Sequence, residues 1–225
     1  MPSRLPAPLF GLVLAGGRST RMKSDKAMLV YHGRPQAAHT IDLLAAHCDQ
    51  IFLSCRADQA SMDGFAGLPQ LHDTHLNMGP LGGILTAMEA HPDAAWLVAA
   101  CDLPYLDKAA LETLVAGRDP SLMATAFAGP QLAGSKSAHG GAHGLDVPES
   151  LGPNGELPEP LFAIYEPHFH ARILELMGLG VDCPRKAIIK SPCRILPAPD
   201  PAFLVNVNDP EEFKKALADI TRPRV

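Results

Sequence analysis

Residues 94–100 read AAWLVAA, seven apolar residues in a row with no polar position to mark a wet side. A strand of that kind is buried on both faces, the situation of a central strand in a mostly parallel sheet covered by helices. Residues 9–14 (LFGLVL) form a second such run, with Pro6 and Pro8 upstream. Periodicity alone would also allow a buried helix there; the short length and the glycines that follow favour a strand. Residues 51–55 (IFLSC), 121–128 and 161–165 (LFAIY) are further strand candidates, and 71–73, 195–196 and 202–205 are shorter ones. Between them lie helical spacings: Ile41, Leu44 and Ala45 within 34–47, Leu81, Ile84, Leu85 and Met88 within 81–90, then 108–116, 168–177 and a short turn-and-helix over 183–191. Asp209, Pro210, Glu211 and Glu212 start a last helix to Ile220: a cap, a proline in the first turn, and acid at its positive end. This alternation predicts an α/β fold with a mostly parallel central sheet and helices on both faces. The 225 residues suffice for one domain, 1–225, interrupted at about 129–160 by a Gly-, Pro- and His-rich stretch expected to be a flexible insertion.

Ligands of such sheets bind beyond the carboxyl ends of the strands. The chain places its chemistry there. After the first strand comes LAGGRSTRMKSDK, residues 14–26. Gly16 and Gly17 let the backbone turn and approach a ligand closely, and Arg18, Arg21, Lys23 and Lys26 add cations, so the segment suits a phosphate. It matches neither G-x-x-x-x-G-K-[ST] nor G-x-G-x-x-G. Asp102 follows the 94–100 strand in the setting C-D-L-P; it is either a ligand for Mg²⁺ bridging phosphates or a solvated cap of the next turn. Asp73 is either a group for a base or ribose or a loop cap. Lys26 either reaches a phosphate or pairs with Asp25 on the surface. Gly79, Gly82 and Gly83 form either a second close-approach loop or a tight turn before a helix. Asn206 and Asn208 alternate along an extended segment and share one side; they bind Mg²⁺ or phosphate, or belong to the turn that starts the last helix.

Other classes fit poorly. A net charge of −5 argues against a nucleic-acid binder. Five cysteines with no C-x-x-C pair read as reduced thiols of a cytoplasmic chain. No stretch is long and apolar enough to span a membrane, and residues 9–15 lack the basic leader of a signal peptide. His139 and His143 have a metal-like spacing, but a glycine-rich loop does not put them on one helix face. There is no G-x-S-x-G elbow for a serine nucleophile.

Taken in order, LAGGRSTRMKSDKA at 14–27, GPLGGI at 79–84, CDLP at 101–104, LFAIY at 161–165 and NVNDPEEF at 206–213 resemble the molybdenum cofactor guanylyltransferases, within the nucleotidyltransferases of Rossmann-like, three-layer α/β/α fold. The resemblance implies Mg²⁺-dependent transfer of GMP from GTP to the phosphate of molybdopterin, or of the molybdenum cofactor, with release of pyrophosphate. It implies that Leu14, Ala15, Gly16 and Gly17 line the nucleotide, with Lys26 on its phosphates; beside it, the residues themselves let Arg18 and Arg21 clamp phosphates as forks, or form a solvated basic loop, with Gly79 in the second glycine loop. Asp73 would hold the nucleoside, Asp102 the metal, and Asn206 and Asn208 the acceptor side. LAGG rather than LAAG goes with guanine over cytosine. Other proteins of cofactor biosynthesis, or molybdoenzymes, are the implied protein partners. Lys23 stands where the family loop has glycine. The alternatives are a cytidylyltransferase, a sugar-phosphate nucleotidyltransferase, and a nucleotide-binding regulator of the same fold that has lost activity.

Overall fold

A computed structural model describes residues 6–16, 25–62, 64–129 and 150–222. The first strand is β1, Leu9–Leu14, and helix α1 spans Gln36–Leu44. Strands β2, Gln50–Cys55, and β3, Gln70–His72, precede helix α2, Pro80–Ala90. Then come β4, Ala95–Ala100; α3, Lys108–Ala116; β5, Ala124–Ala128; and β6, Pro158–Tyr165. The chain continues with α4, Phe169–Gly178; α5, Pro184–Ile189; β7, Cys193–Leu196; and α6, Pro210–Thr221. The seven strands form one sheet in the order β3-β2-β1-β4-β6-β5-β7. Strand β6 alone runs against its neighbours, pairing antiparallel with both β4 and β5; the other pairings are parallel. The expected α/β architecture with a mostly parallel sheet is what the chain forms.

The apolar runs are buried on both sides, as their patterns require. Along β1, Leu9 and Val13 point into one core with Leu53, Leu97, Leu111 and Leu114. Phe10 and Leu12 point into the other, with Trp96, Val98, Leu81, Ile84, Leu85 and Phe169. Helices α1 and α3 cover the first face, α2, α4 and α5 the second. Gly11 lies on the first face, where a Cβ would come within 3.1 Å of Leu44 and Ile51. Its absence lets α1 pack close to the sheet. Helix α6 begins as read: Asp209 accepts hydrogen bonds from the N–H groups of Glu211 and Glu212, and Pro210 opens the helix.

Three expectations change. Residues 202–205 are no strand: Pro201–Leu204 is a 3₁₀ turn, because Asp200 accepts from Ala202 N–H and Pro201 sets the first turn. The strand read at 161–165 begins at Pro158, so the last residues of the expected insertion belong to the sheet. Residues 150–157 are tied back as well, through Ser150 N to Ile189 O, Gly152 N to Glu156 O, and Gly129 N to Leu157 O. Residues 130–149, with His139 and His143, lie outside the described residues. Among the described residues no helix is long and apolar enough to cross a membrane.

His39 of α1 stacks on His32 with ring centroids 3.7 Å apart. Burial, then the neighbouring His32 and Arg34, hold its pKa down from 6.5 to about 4, against a smaller opposing pull from Asp42. Between those values the unfolded chain binds a proton that the folded chain refuses, so stability falls as pH drops from 6.5 towards 4. His39→Phe should make that fall in Tm shallower, measured by thermal melts across the same range.

Candidate active site

The carboxyl ends of β1, β2, β3 and β4 open into a cleft of about 710 Å³. Its lining includes Leu14, Ala15, Gly16, Lys26, Asp73, Gly79 and Asp102. Parallel pairing explains the convergence: Leu14 lies opposite Ala100 and Ser54, so the residues after each strand emerge side by side.

Lys26 follows Asp25, yet the two side chains go different ways. Asp25 caps the 3₁₀ turn Lys26–Met28 by accepting from Ala27 N–H, and also accepts from the Gln59 amide. Lys26 Nζ donates to Asn208 Oδ1 at 2.8 Å and lies 3.7 Å from Asp102 Oδ2. Asp102 Oδ1 is buried and has no hydrogen-bond partner among the described residues. Burial pushes the Asp102 carboxyl pKa up, with Lys26 pulling against it. A solvated cap would show neither the burial nor the orphaned oxygen. The backbone of the same residue fixes the last segment of the site: Asp102 C=O accepts from Val207 N–H at 2.8 Å. Val207 is buried, and Asn206 and Asn208 face outward on either side of it. Asn208 thereby reaches Lys26; Asn206 is exposed and does not line the cleft.

Asp73 follows β3, where its N–H donates to Cys55 C=O. Its Oδ1 accepts from the Ser54 hydroxyl at 2.8 Å. Burial raises its pKa, and the Ser54 hydrogen bond works in the other direction. The glycines around it make room. A Cβ on Gly16 would meet Asp73 Oδ2 at 3.0 Å, and one on Gly83 would meet Ser54 Oγ at 2.5 Å. Gly79 sits at φ +55 just before Pro80. Gly82 and Gly83 are inside α2, and Gly82 is packed against the backbone of His75. So the first glycine makes the turn into the helix, and the other two bring the helix close to the strand ends.

Gly17, Arg18 and Arg21, together with Lys23, lie outside the described residues. Sequence reasoning missed the groups that hold the loop. Arg56 donates to Gly16 C=O at 2.8 Å while its guanidinium pairs with Asp58. Buried Gln59 donates to Ala15 C=O. The signal was positional: both follow β2, on the edge where β1 and β4 also end. His75 is a structural anchor, its Nε2 at 2.9 Å from both Glu89 oxygens.

In its chemistry the cleft combines a cation, a partly buried carboxylate with one buried, unused oxygen, an asparagine that orients the cation, and backbone turns open to close approach. Such a set suits a polyphosphate held with a divalent metal. Residues 11–191 match the family model described as a MobA-like NTP transferase domain. A molybdenum cofactor guanylyltransferase of Pseudomonas aeruginosa is 32% identical over 219 residues, covering 94% of this chain and 96% of its own. A molybdenum cofactor biosynthesis bifunctional protein of Synechocystis is 35% identical over 207 residues; the match takes in 92% of this chain but 53% of that relative, so the chain spans about half its length. Among solved structures, molybdopterin-guanine dinucleotide biosynthesis protein A of Archaeoglobus fulgidus superposes with a TM-score of 0.68 at 18% identity, over 93% of this chain and 97% of that one.

The packing of α2 gives a direct test. A Cβ on Gly82 would lie 2.4 Å from His75 C=O, a backbone atom with little freedom to yield. Gly82→Ala should cost about 1–3 kcal/mol, read as a lower Tm. Gly178→Ala, at the end of α4 where a Cβ meets nothing within 4 Å, should leave Tm unchanged or raise it slightly.

Proposed function

Because the chain belongs to the MobA-like NTP transferase family and is a nucleotidyltransferase of that fold, we propose that it transfers GMP from GTP to the phosphate of molybdopterin or the molybdenum cofactor. One observation carries the assignment of the reacting centre: Lys26 Nζ sits between Asn208 and Asp102, and Asp102 keeps one buried oxygen without a partner. That oxygen and its charge fit a hard divalent cation such as Mg²⁺, with Asp102 as the protein's ligand. When bound, the metal supplies positive charge against the phosphate oxygens.

The rest of the work falls to the chain. An acceptor phosphate is already ionised near neutral pH and needs no general base. Its oxygen forms a bond to the α-phosphorus as the bond from that phosphorus to the bridging oxygen breaks, and pyrophosphate leaves with the electron pair. The obstacle is bringing two anions together in line. Lys26 offsets that repulsion, aimed by its hydrogen bond to Asn208. Asp73, held by Ser54, takes the nucleoside, and the turn at Ala15 and Gly16, braced by Gln59 and Arg56, lies along the nucleotide. The guanine assignment is supported by the LAGG sequence and by the guanylyltransferase relatives. The basic residues Arg18 and Arg21 are proposed as further phosphate contacts on sequence grounds, Asn206 as an acceptor-side group.

The test is a pyrophosphate-release assay that crosses the four NTPs with molybdopterin, its molybdenum-loaded form and a panel of sugar phosphates. Release is expected with GTP and a pterin acceptor; release with CTP alone, or with a sugar phosphate alone, overturns the proposal. Asp102→Asn should lower turnover by about 10²-fold or more with only a small change in Tm, since the 3.7 Å pair with Lys26 is, among the described residues, the one protein contact that loses its charge. Lys26→Ala should slow the reaction by about tenfold or more at saturating GTP; an unchanged rate would remove Lys26 from the centre.

A further inference from the structure

Leu76 is 72% exposed, and it stands on the wall of the cleft. A lone exposed leucine carries no meaning of its own. Here the backbone on both sides of it is fastened. Ahead of it, Thr74 N–H donates to Thr86 Oγ1 at 3.0 Å, and the two hydroxyls are also 3.0 Å apart. The His75 carbonyl rests on Gly82, and the His75 ring is paired with Glu89. Behind it, Asn77 has φ +64, and among the described residues it is the non-glycine with a left-handed backbone. Gly79 at φ +55 and Pro80 then lead directly into α2. Asparagine adopts this left-handed turn more readily than other side-chain-bearing residues, and the turn leaves an apolar side chain exposed on the wall of the cleft.

Flat aromatic ligands need two things from a protein: polar groups at the ring edge and apolar surface against the ring face. Asp73 and Ser54 can serve an edge. Leu14, Ala15 and Leu76 are among the apolar surfaces of the same cleft. We propose that Leu76 packs against the face of the nucleobase and favours a purine, whose two fused rings cover more of the side chain than the single ring of a pyrimidine. Resting on the nucleotidyltransferase reading above, this adds a specificity-determining residue on the loop before α2, outside the LAGG turn.

The experiment is calorimetric titration of the full chain with GTP and, separately, with CTP, for wild type, Leu76→Ala and Leu76→Met. Leu76→Ala should weaken GTP by about tenfold, the loss expected for removing part of a buried branched side chain. It should weaken CTP distinctly less, so that the preference for GTP narrows, with Tm unchanged. Leu76→Met should restore most of the GTP affinity. Equal GTP affinity in wild type and Leu76→Ala overturns the inference, as does an equal loss for GTP and CTP, which would mark a disturbed loop. Leu76-dependent GTP binding without pyrophosphate release for any acceptor would sustain this inference while sinking the proposed reaction.

Discussion

The parallel pairing of β1 with β4 is the constraint from which the site follows. Leu14 lies opposite Ala100, and the ladder runs one step further, with Cys101 N–H donating to Leu14 C=O. Ala15 and Gly16 on one strand and Asp102 on the other then leave the sheet together. A slip of one residue would turn Leu12 and Val13 to the wrong faces and expose core side chains, so the two cores lock the register. The position of Asp102 relative to the glycine turn is thus set by apolar packing far from any ligand.

A second constraint closes the site from the other end of the chain. The hydrogen bond from Val207 N–H to Asp102 C=O joins residues more than a hundred positions apart. It fixes the extended segment before α6 while buried Val207, packed with Tyr31 and Ala216, keeps the flanking asparagines outward. Lys26 then has a fixed acceptor in Asn208 and an incomplete ion pair with Asp102. Three carboxylates lie along this edge, Glu159 buried and Asp73 and Asp102 partly so. Burial raises the pKa of Asp73, Asp102 and Glu159, and the Asp102 charge adds to the effect at Glu159, which Arg185 partly offsets.

Much of the fold was legible because the relevant signals are local. The uninterrupted apolar run through Trp96 reads as a strand wet on neither side, and the Asp-Pro-Glu-Glu start of α6 satisfied its own helix end. The errors came where a neighbour in space decides. Residues 202–205 are apolar enough for a strand, but the cap on Asp200 turns them first. Pro158 and Pro160 read as a loop, yet prolines are accepted in β6 while Glu159 accepts from Leu161 N–H and is met by Arg185. That β6 would run against the other strands has no sequence mark at all.

The sequence by itself determined the layered α/β architecture, the edge of the sheet where chemistry would gather, and the residue types gathered there. These follow from periodicity, glycine turns and the rule that parallel strands end together. Only the tertiary structure decided between paired readings of the same residue. Lys26 turns away from Asp25 towards Asn208 and Asp102, Asp102 buries one carboxyl oxygen, and Gly82 packs α2 against the His75 backbone. The reason is that each choice depends on what another segment presents across the cleft, and spacing along the chain holds no record of that.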